Sequence, residues 1–291
     1  MTGALPDYRN GQTAFATRED VHNVLVVTRG HGFARDAFFQ MFEQAPNLEW
    51  ANVEHPAAQL LFNPEAAAHF DCYVLYDMPG IEFIRTGEGG MRMHEPPEFY
   101  REGLLAMLEQ GTPLVILHHA CAAWPSWPLW AEIVGARFLY QSGPLRGKMC
   151  PDSGYRHGVR HTISPTQAHP VTDGIAPFEL VDELYLFEVF EDEVVPLLQS
   201  DFSFSAEHFY SAQQAIHGRM DSNEGWQHAP GSALIGWIKH YANSPIVYLQ
   251  CGDGPEAYAN ASLRKLLYNA IDWACSEHAR QWVRQRQASL G

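Results

Sequence analysis

Gly111-Thr-Pro-Leu-Val-Ile-Leu-His-His-Ala-Cys121, followed by Ala122-Ala-Trp-Pro-Ser-Trp-Pro128, is the stretch whose reading decides the fold. Residues 114–117 are an unbroken apolar run bounded by Gly111 and Pro113, the pattern of a parallel strand buried on both faces. The run stops at His118 and His119, and small residues and prolines open the next segment. In open α/β sheets, ligands bind at the carboxyl ends of the strands. The two histidines are therefore expected at the functional centre.

Working outward, Val24-Leu-Val-Val27, residues 48–53 and Cys72-Tyr-Val-Leu-Tyr76 are further strands. Helical spacing over 34–45, 56–70 and 98–110 separates them, with Gly111 closing the last of these helices. The order β-α-β-α-β-α-β with short connections predicts an α/β fold, a doubly wound and mostly parallel sheet. Residues 81–96 form a loop long enough to cover a site. Beyond Pro128, a helix over 129–134 and a short strand over 137–140 lead into a Gly-rich, basic and irregular excursion over 141–160. Strands are expected at 161–164, 178–189 and 194–198, and helical character over 202–230. A late β-hairpin joins 233–238 to 245–250 through Asn243-Ser244. A final helix over 259–275 carries Leu263, Leu266, Leu267, Ala270, Ile271 and Ala274 on one face. No repeat or linker marks an internal boundary, which predicts an N-terminal arm (1–20), a single domain (21–280) and a C-terminal tail (281–291).

The 291 residues are 46% hydrophobic and 18% charged, ordinary for a globular chain with a sizeable core. A formal net charge of -15 repels phosphate backbones and anionic lipid, so neither nucleic acid nor membrane is an expected partner. A neutral small molecule such as a sugar is compatible with it, and the arm leaves a homo-oligomer open. The five cysteines are irregularly spaced without a C-x-x-C pair, which suits reduced thiols and a cytoplasmic location. Neither an apolar leader nor a run approaching the ~18 residues of a membrane span is present.

Four loops that follow strands carry polar groups: His31, Asp77, His118-His119 and Asp253; Glu183 in Asp182-Glu-Leu-Tyr185 is a fifth candidate. Such a set supports acid–base chemistry through imidazole and carboxylate, or a divalent metal held by the same groups. Within this set of candidates no local ligand spacing singles out the metal. With 15 histidines in the chain, any single one is more often structural than catalytic. Successive strand residues point to opposite faces, so His119 is expected to face the cleft and His118 to be its neighbour. Trp124, Trp127 and Trp130 either stack on a sugar or pack against their prolines. Cys121 and Cys251 lie in no G-x-S-x-G-type elbow, and the GxGxxG and GxxxxGK(S/T) motifs are missing.

Four blocks, in this order and spacing, resemble the trehalose-utilization (ThuA-like) family of the class I glutamine amidotransferase-like superfamily. They are residues 113–120 with the following Trp-Pro and Glu132-Ile-Val-Gly-Ala-Arg-Phe138, His169-Pro-Val-Thr-Asp-Gly174, Asp182-Glu-Leu-Tyr185, and Ile246-Val-Tyr-Leu-Gln-Cys-Gly-Asp253 running into Tyr258-Ala-Asn. The resemblance implies a flavodoxin-like fold that has lost the amidotransferase's nucleophilic cysteine, with His119 in its place. It implies a role in sugar catabolism, on 3-keto glycosides or related carbonyl sugars. His119 is then acid or base, Glu183 and Asp253 its partner groups, and His118 or Asp77 an orienting group. His31, Asp77, Trp124, Trp127 and Tyr258 are expected to bind substrate. Where many relatives read Leu-Gly-His, this chain has Cys251-Gly-Asp253, a departure that sets a carboxylate where they carry imidazole. The alternatives are a non-catalytic sugar-binding or regulatory module, and a Cys121-dependent amidase.

Overall fold

The apolar runs become strands because each is buried on both sides. Along His22–Arg29 (β1), Val24 and Val26 pack into one core and Leu25 and Val27 into the other. Cys72–Asp77 (β3) and Leu114–Leu117 (β4) alternate in the same way, with Val115 and Leu117 opposite in direction to Leu114 and Ile116. Each fully buried aliphatic side chain contributes roughly 1.5–3 kcal/mol, so the centre of the sheet is fixed by composition alone. The structure is a computed structural model and describes residues 20–87 and 89–290. The arm expected over 1–20 lies, apart from Asp20, outside the described residues.

Ten strands among the described residues form one sheet. With Leu48–Glu54 as β2, Gly154–Pro165 as β5, Phe178–Leu186 as β6, Val195–Ser200 as β7, Leu234–Tyr241 as β8 and Ser244–Leu249 as β9, the order is β6-β5-β7-β8-β9-β4-β3-β1-β2; Tyr210–Ser211 adds to β5. The half from β9 to β2 is parallel: Ile246 faces Leu114, Leu114 faces Tyr73, and Val24 faces both Cys72 and Trp50. The order β2-β1-β3-β4-β9 is the doubly wound, flavodoxin-like arrangement, and its carboxyl ends carry the loops of interest. The other half is antiparallel and begins with the expected hairpin, in which Tyr241 pairs with Ser244.

Helices cover both faces. Arg35–Glu43 (α1), Pro255–Ala259 (α4) and Ala261–Cys275 (α5) pack on the face of Val24 and Val115; Glu98–Gln110 (α2) and Pro128–Val134 (α3) pack on the other. Gly111 ends α2 with φ +91, a left-handed residue that glycine adopts without strain.

Several expectations are corrected. The excursion over 141–160 is a hairpin, Gly143–Leu145 with Lys148–Cys150, followed by a strand that starts at Gly154. Residues 81–96 contain a second small hairpin, Ile81–Phe83 with Met91–Met93. The helical reading of 202–230 fails except for Ala206–His208 and Ala212–Ile216; there Phe202, Phe204 and Phe209 pack into one of the two cores from an irregular backbone. The tail over 281–291 is instead part of a helix, Glu277–Leu290 (α6), which buries Ala279 and Val283. No helix among the described residues is long and apolar enough to cross a membrane.

Candidate active site

The strand β4 leaves the core at His118, whose φ of +49 puts a non-glycine residue in the left-handed region. This strained strand-to-helix turn has the form of a nucleophile elbow, and its strained residue is His118, not His119. Residues His118–Ala122 then form a 3-10 turn held from outside: Tyr248 Oη donates to the His118 carbonyl at 3.0 Å and Trp130 Nε1 to that of Ala120 at 3.1 Å. The turn sends the two histidines in different directions, and their environments make them chemically opposite.

His118 is fully buried. Its Nδ1–H donates to the Gln250 carbonyl at 2.6 Å, and its Nε2–H faces Tyr185 Oη at 2.8 Å, Glu183 Oε2 at 3.1 Å and Asp253 Oδ1 at 3.6 Å. Tyr185 Oη in turn donates to Glu183 Oε2 at 2.7 Å. Burial opposes a charge on His118, but Asp253 and Glu183 outweigh it and raise its pKa to about 10. Both ring nitrogens thus donate, as an imidazolium requires. Half-exposed His157 completes the cluster, with Nδ1 3.3 Å from Glu183 Oε1 and 3.9 Å from Asp253 Oδ2. Hydrogen bonding to Asp253 raises the His157 pKa, while His118 and His157 together hold the Asp253 carboxyl below the usual carboxylate range.

His119 is neutral. Burial, then the positive charge of His118, push its pKa well below 6.5. Its Nε2 lies 3.3 Å from the Tyr76 carbonyl, which only accepts, so Nε2 carries the hydrogen and Nδ1 the lone pair. That Nδ1 is buried without a hydrogen-bond partner among the described residues. His31 stands beside it, ring centroids 4.6 Å apart, and burial and His118 depress its pKa too. Gly30 makes this possible: with φ +100, a Cβ there would lie 2.2 Å from the Met78 carbonyl oxygen. Only glycine lets the loop after β1 pass this close to the loop after β3.

His31, His119, His157, Glu183 and Tyr185 line one cavity of about 670 Å³, within the size range of small-molecule sites. Phe83, Phe138, Tyr140 and Tyr155 supply its aromatic wall. Trp124 and Trp127, expected in that wall, are buried in the core instead: Trp124 packs on Tyr100 at 5.1 Å and against Gly80, and Trp127 precedes α3. Asp77 is also away from the cavity, its Oδ2 2.7 Å from His55 Nε2 in a buried pair. Tyr258 braces the site from beneath; its hydroxyl donates to the Asp253 carbonyl at 2.8 Å and lies 2.7 Å from that of Tyr76. Asp182 does the same from β6, accepting the amides of Gly252 at 2.7 Å and Asp253 at 2.9 Å; burial raises its pKa to about 6.

His157 and Tyr185 were not singled out from sequence. Tyr185 lay within the Asp182-Glu-Leu-Tyr185 block and follows Glu183 on the same strand face, so its role was within reach. His157 sits where the β5–β6 register slips between Arg156 and Val159, and such a bulge re-aims a side chain without a signal in the period-2 pattern.

One atom each from His118, Glu183 and Asp253 lie within 4.8 Å of one another, close enough to share a divalent cation. In the structure His118 pairs with both carboxylates through its Nε2, 3.1 Å from Glu183 and 3.6 Å from Asp253. A divalent ion held by His118 Nε2, Glu183 and Asp253 would replace the Nε2 proton and would polarise a sugar carbonyl. Cys121 is buried and its thiol pushed up to about 12, and burial also raises the Cys251 thiol, so neither is an ionised nucleophile at neutral pH.

The family model for ThuA, trehalose utilisation, matches residues 23–274. Among solved structures, a ThuA-like protein from Parabacteroides merdae ATCC 43184 superposes with a TM-score of 0.59 at 15% identity, covering 88% of this chain and 90% of that one. A ThuA-like protein from Bacteroides uniformis ATCC 8492 gives 0.54 at 17% identity over 91% and 96% of the two chains. A cytoplasmic protein from Salmonella typhimurium LT2 gives 0.51 at 11% identity over 87% and 99%. At these identities the likeness is one of fold. No curated protein matches the chain.

Proposed function

The chain belongs to the ThuA, trehalose utilisation, family, and from that premise we propose that it is an enzyme acting on a carbonyl sugar, by class a 3-keto glycoside, through proton transfer at the carbon beside the carbonyl. The observation that carries this reading is the division of labour in one cavity. His119 offers an unprotonated imidazole with a lone pair on Nδ1, and beside it stands a cluster of two carboxylates, the cationic His118 and His157, whose pKa the carboxylates raise. Proton abstraction needs a base that is deprotonated at working pH and a donor to meet the negative charge that develops on the carbonyl oxygen.

In this reading His119 takes the proton from the carbon next to the ketone, leaving an enolate, and His157 supplies the balancing hydrogen bond or proton. Returning the proton to the other face isomerises the sugar; expelling the substituent at the anomeric carbon cleaves it. His118 is a positioning residue: fully buried and charged, it orients Glu183 through Tyr185 and keeps His119 deprotonated. His31 and the aromatic wall bind the sugar. A cytoplasmic setting, with sugar as the partner and neither nucleic acid nor membrane involved, suits the acidic charge and unpaired thiols.

Turnover of 3-keto disaccharides by the purified protein tests the proposal. His119→Ala is expected to lower kcat by about 10²–10⁴, the ordinary worth of a positioned base. Unchanged turnover in that variant removes His119 from the mechanism. A thermal shift with sugars and no turnover of any 3-keto derivative replaces the enzyme with a sugar-binding module.

A further inference from the structure

The amino ends of β1 and β3, at the far end of the sheet from the cavity, hold a second cluster that this chemistry does not use. His22 Nε2 lies 3.2 Å from Asp272 Oδ1. Cys275, the last residue of α5, holds its sulfur 3.5 Å from the carbonyl of Asp71, the residue before Cys72. Cys72 is buried at the first position of β3, whereas Cys275 is partly exposed and lines a hollow of about 780 Å³ together with His22, Asn47 and His69. A partly exposed thiol thus stands beside the start of β3, where a shielded second thiol sits, with an imidazole on the rim of the same hollow.

The surroundings favour ionisation of the outer sulfur. Hydrogen bonds from Asp272 and Cys275 raise the His22 pKa to about 10, so the ring is cationic at neutral pH. The Cys72 hydrogen bond, followed by that of His22 and its charge, lowers the Cys275 pKa to about 7 against the opposing effects of burial and of Asp71. Burial pushes Cys72 upward, so it remains a protonated thiol. Thiolate fraction and access together select which cysteine is oxidised.

We propose that Cys275 and Cys72 are a hydroperoxide-modified pair, with Cys275 as the attacking thiolate and Cys72 as the resolving thiol. The Cys275 sulfur attacks one peroxide oxygen, the O–O bond breaks, hydroxide leaves, and the sulfur is oxidised by two electrons to sulfenic acid. The Cys72 sulfur then attacks the Cys275 sulfur. The S–O bond breaks, the Cys72 proton leaves with that hydroxyl as water, and the disulfide ties the start of β3 to the end of α5.

Peptide mapping of the reduced full-length protein after one equivalent of hydrogen peroxide at pH 7 tests this. The expected product is a Cys72–Cys275 disulfide, with Cys121, Cys150 and Cys251 still alkylatable after denaturation. Cys150 is the internal control, since it is also partly exposed but its pKa is raised; Cys275 should alkylate about tenfold faster or more in the native protein. Cys72→Ser should stop the sequence at a sulfenic acid on Cys275 that dimedone captures. If that variant does not fold, the wild-type map and the alkylation ratio decide. Oxidation of Cys150 at an equal or greater rate, or peroxide treatment that leaves Cys72 and Cys275 unlinked, overturns the proposal.

Discussion

Replacing Glu183 with Gln removes one negative charge from the buried cluster while keeping its shape. Glu183 Oε2 accepts from Tyr185 Oη at 2.7 Å and lies 3.1 Å from His118 Nε2, and Oε1 lies 3.3 Å from His157 Nδ1. An amide oxygen in the Oε2 position keeps the first two contacts without the carboxylate's charge, and the amide nitrogen meets a second donor at His157. A hydrogen bond to a charged group is worth about 1.5–3 kcal/mol against about 1 for a neutral pair, and Asp253 still faces His118. The expected loss at pH 7 is therefore about 2–4 kcal/mol, or about 4–8 °C in Tm at roughly 2 °C per kcal/mol for a chain of this size. The pH dependence follows from His118. Its pKa is raised from 6.5 to about 10 on folding, so the stabilisation is complete below 6.5 and fades as pH rises through 10. The gap between wild type and variant should therefore close by about pH 10.5, where a neutral imidazole no longer needs the carboxylate. Urea unfolding at pH 7 and 10.5 at fixed ionic strength, followed by the fluorescence of the eight tryptophans, reads both values. A loss below about 1 kcal/mol at pH 7, or an equal loss at both pH values, refutes the charged pairing of His118 with Glu183.

Three further outcomes follow from the same geometry. Gly30→Ala forces a side chain into the left-handed region against the Met78 carbonyl; a loss of about 3 kcal/mol or more is expected in thermal unfolding, with weaker sugar binding because His31 moves, and a Tm within about 2 °C of wild type contradicts the close approach. Chelation with EDTA followed by desalting should leave turnover unchanged, since the proposed proton transfer runs through side chains alone; activity lost to the chelator and restored by a divalent cation puts a metal between His118, Glu183 and Asp253. His118→Asn should move the acid limb of the kcat/KM profile upward, because the charge that keeps His119 deprotonated is gone. With ring centroids 5.4 Å apart and an effective dielectric of about 20, that charge is worth about 3 kcal/mol, or about two pH units; an unmoved limb dissociates the two histidines.

The parallel half of the sheet was legible because its physics is local. A strand buried on both faces must be apolar at every position, so the runs at Val24, Cys72 and Leu114 announce themselves and place the loops that follow them. Asp253 and the two histidines were found by that route. What escaped depended on partners distant in sequence. A tryptophan at 124 reads the same whether it faces a sugar or Tyr100 and Gly80, and only the close approach at Gly80 decides. His157 escaped because a bulge breaks the alternation that would have marked β5. Residues 202–230 looked helical because Phe202, Phe204 and Phe209 supply apolar side chains whose spacing is set by the surface they fill, not by a regular backbone.

The histidine pair shows the limit most clearly. Sequence alternation assigned the cleft to His119 and a neighbouring, orienting place to His118, on the assumption that the strand runs on through both. The chain turns at His118 instead, with φ +49, and that single dihedral aims one imidazole at two carboxylates and the other at the Tyr76 carbonyl and His31. The carboxylates hold a proton on His118, and burial together with the resulting charge keeps one off His119. Adjacent residues of one type thereby acquire opposite protonation at the same pH, an outcome that no reading of His-His as a motif contains. The same turn keeps Cys121 buried and protonated, three residues beyond the strained position. The elbow geometry is thus kept while the residue at its apex has become a fixed cation, and the free lone pair has passed to the next residue along.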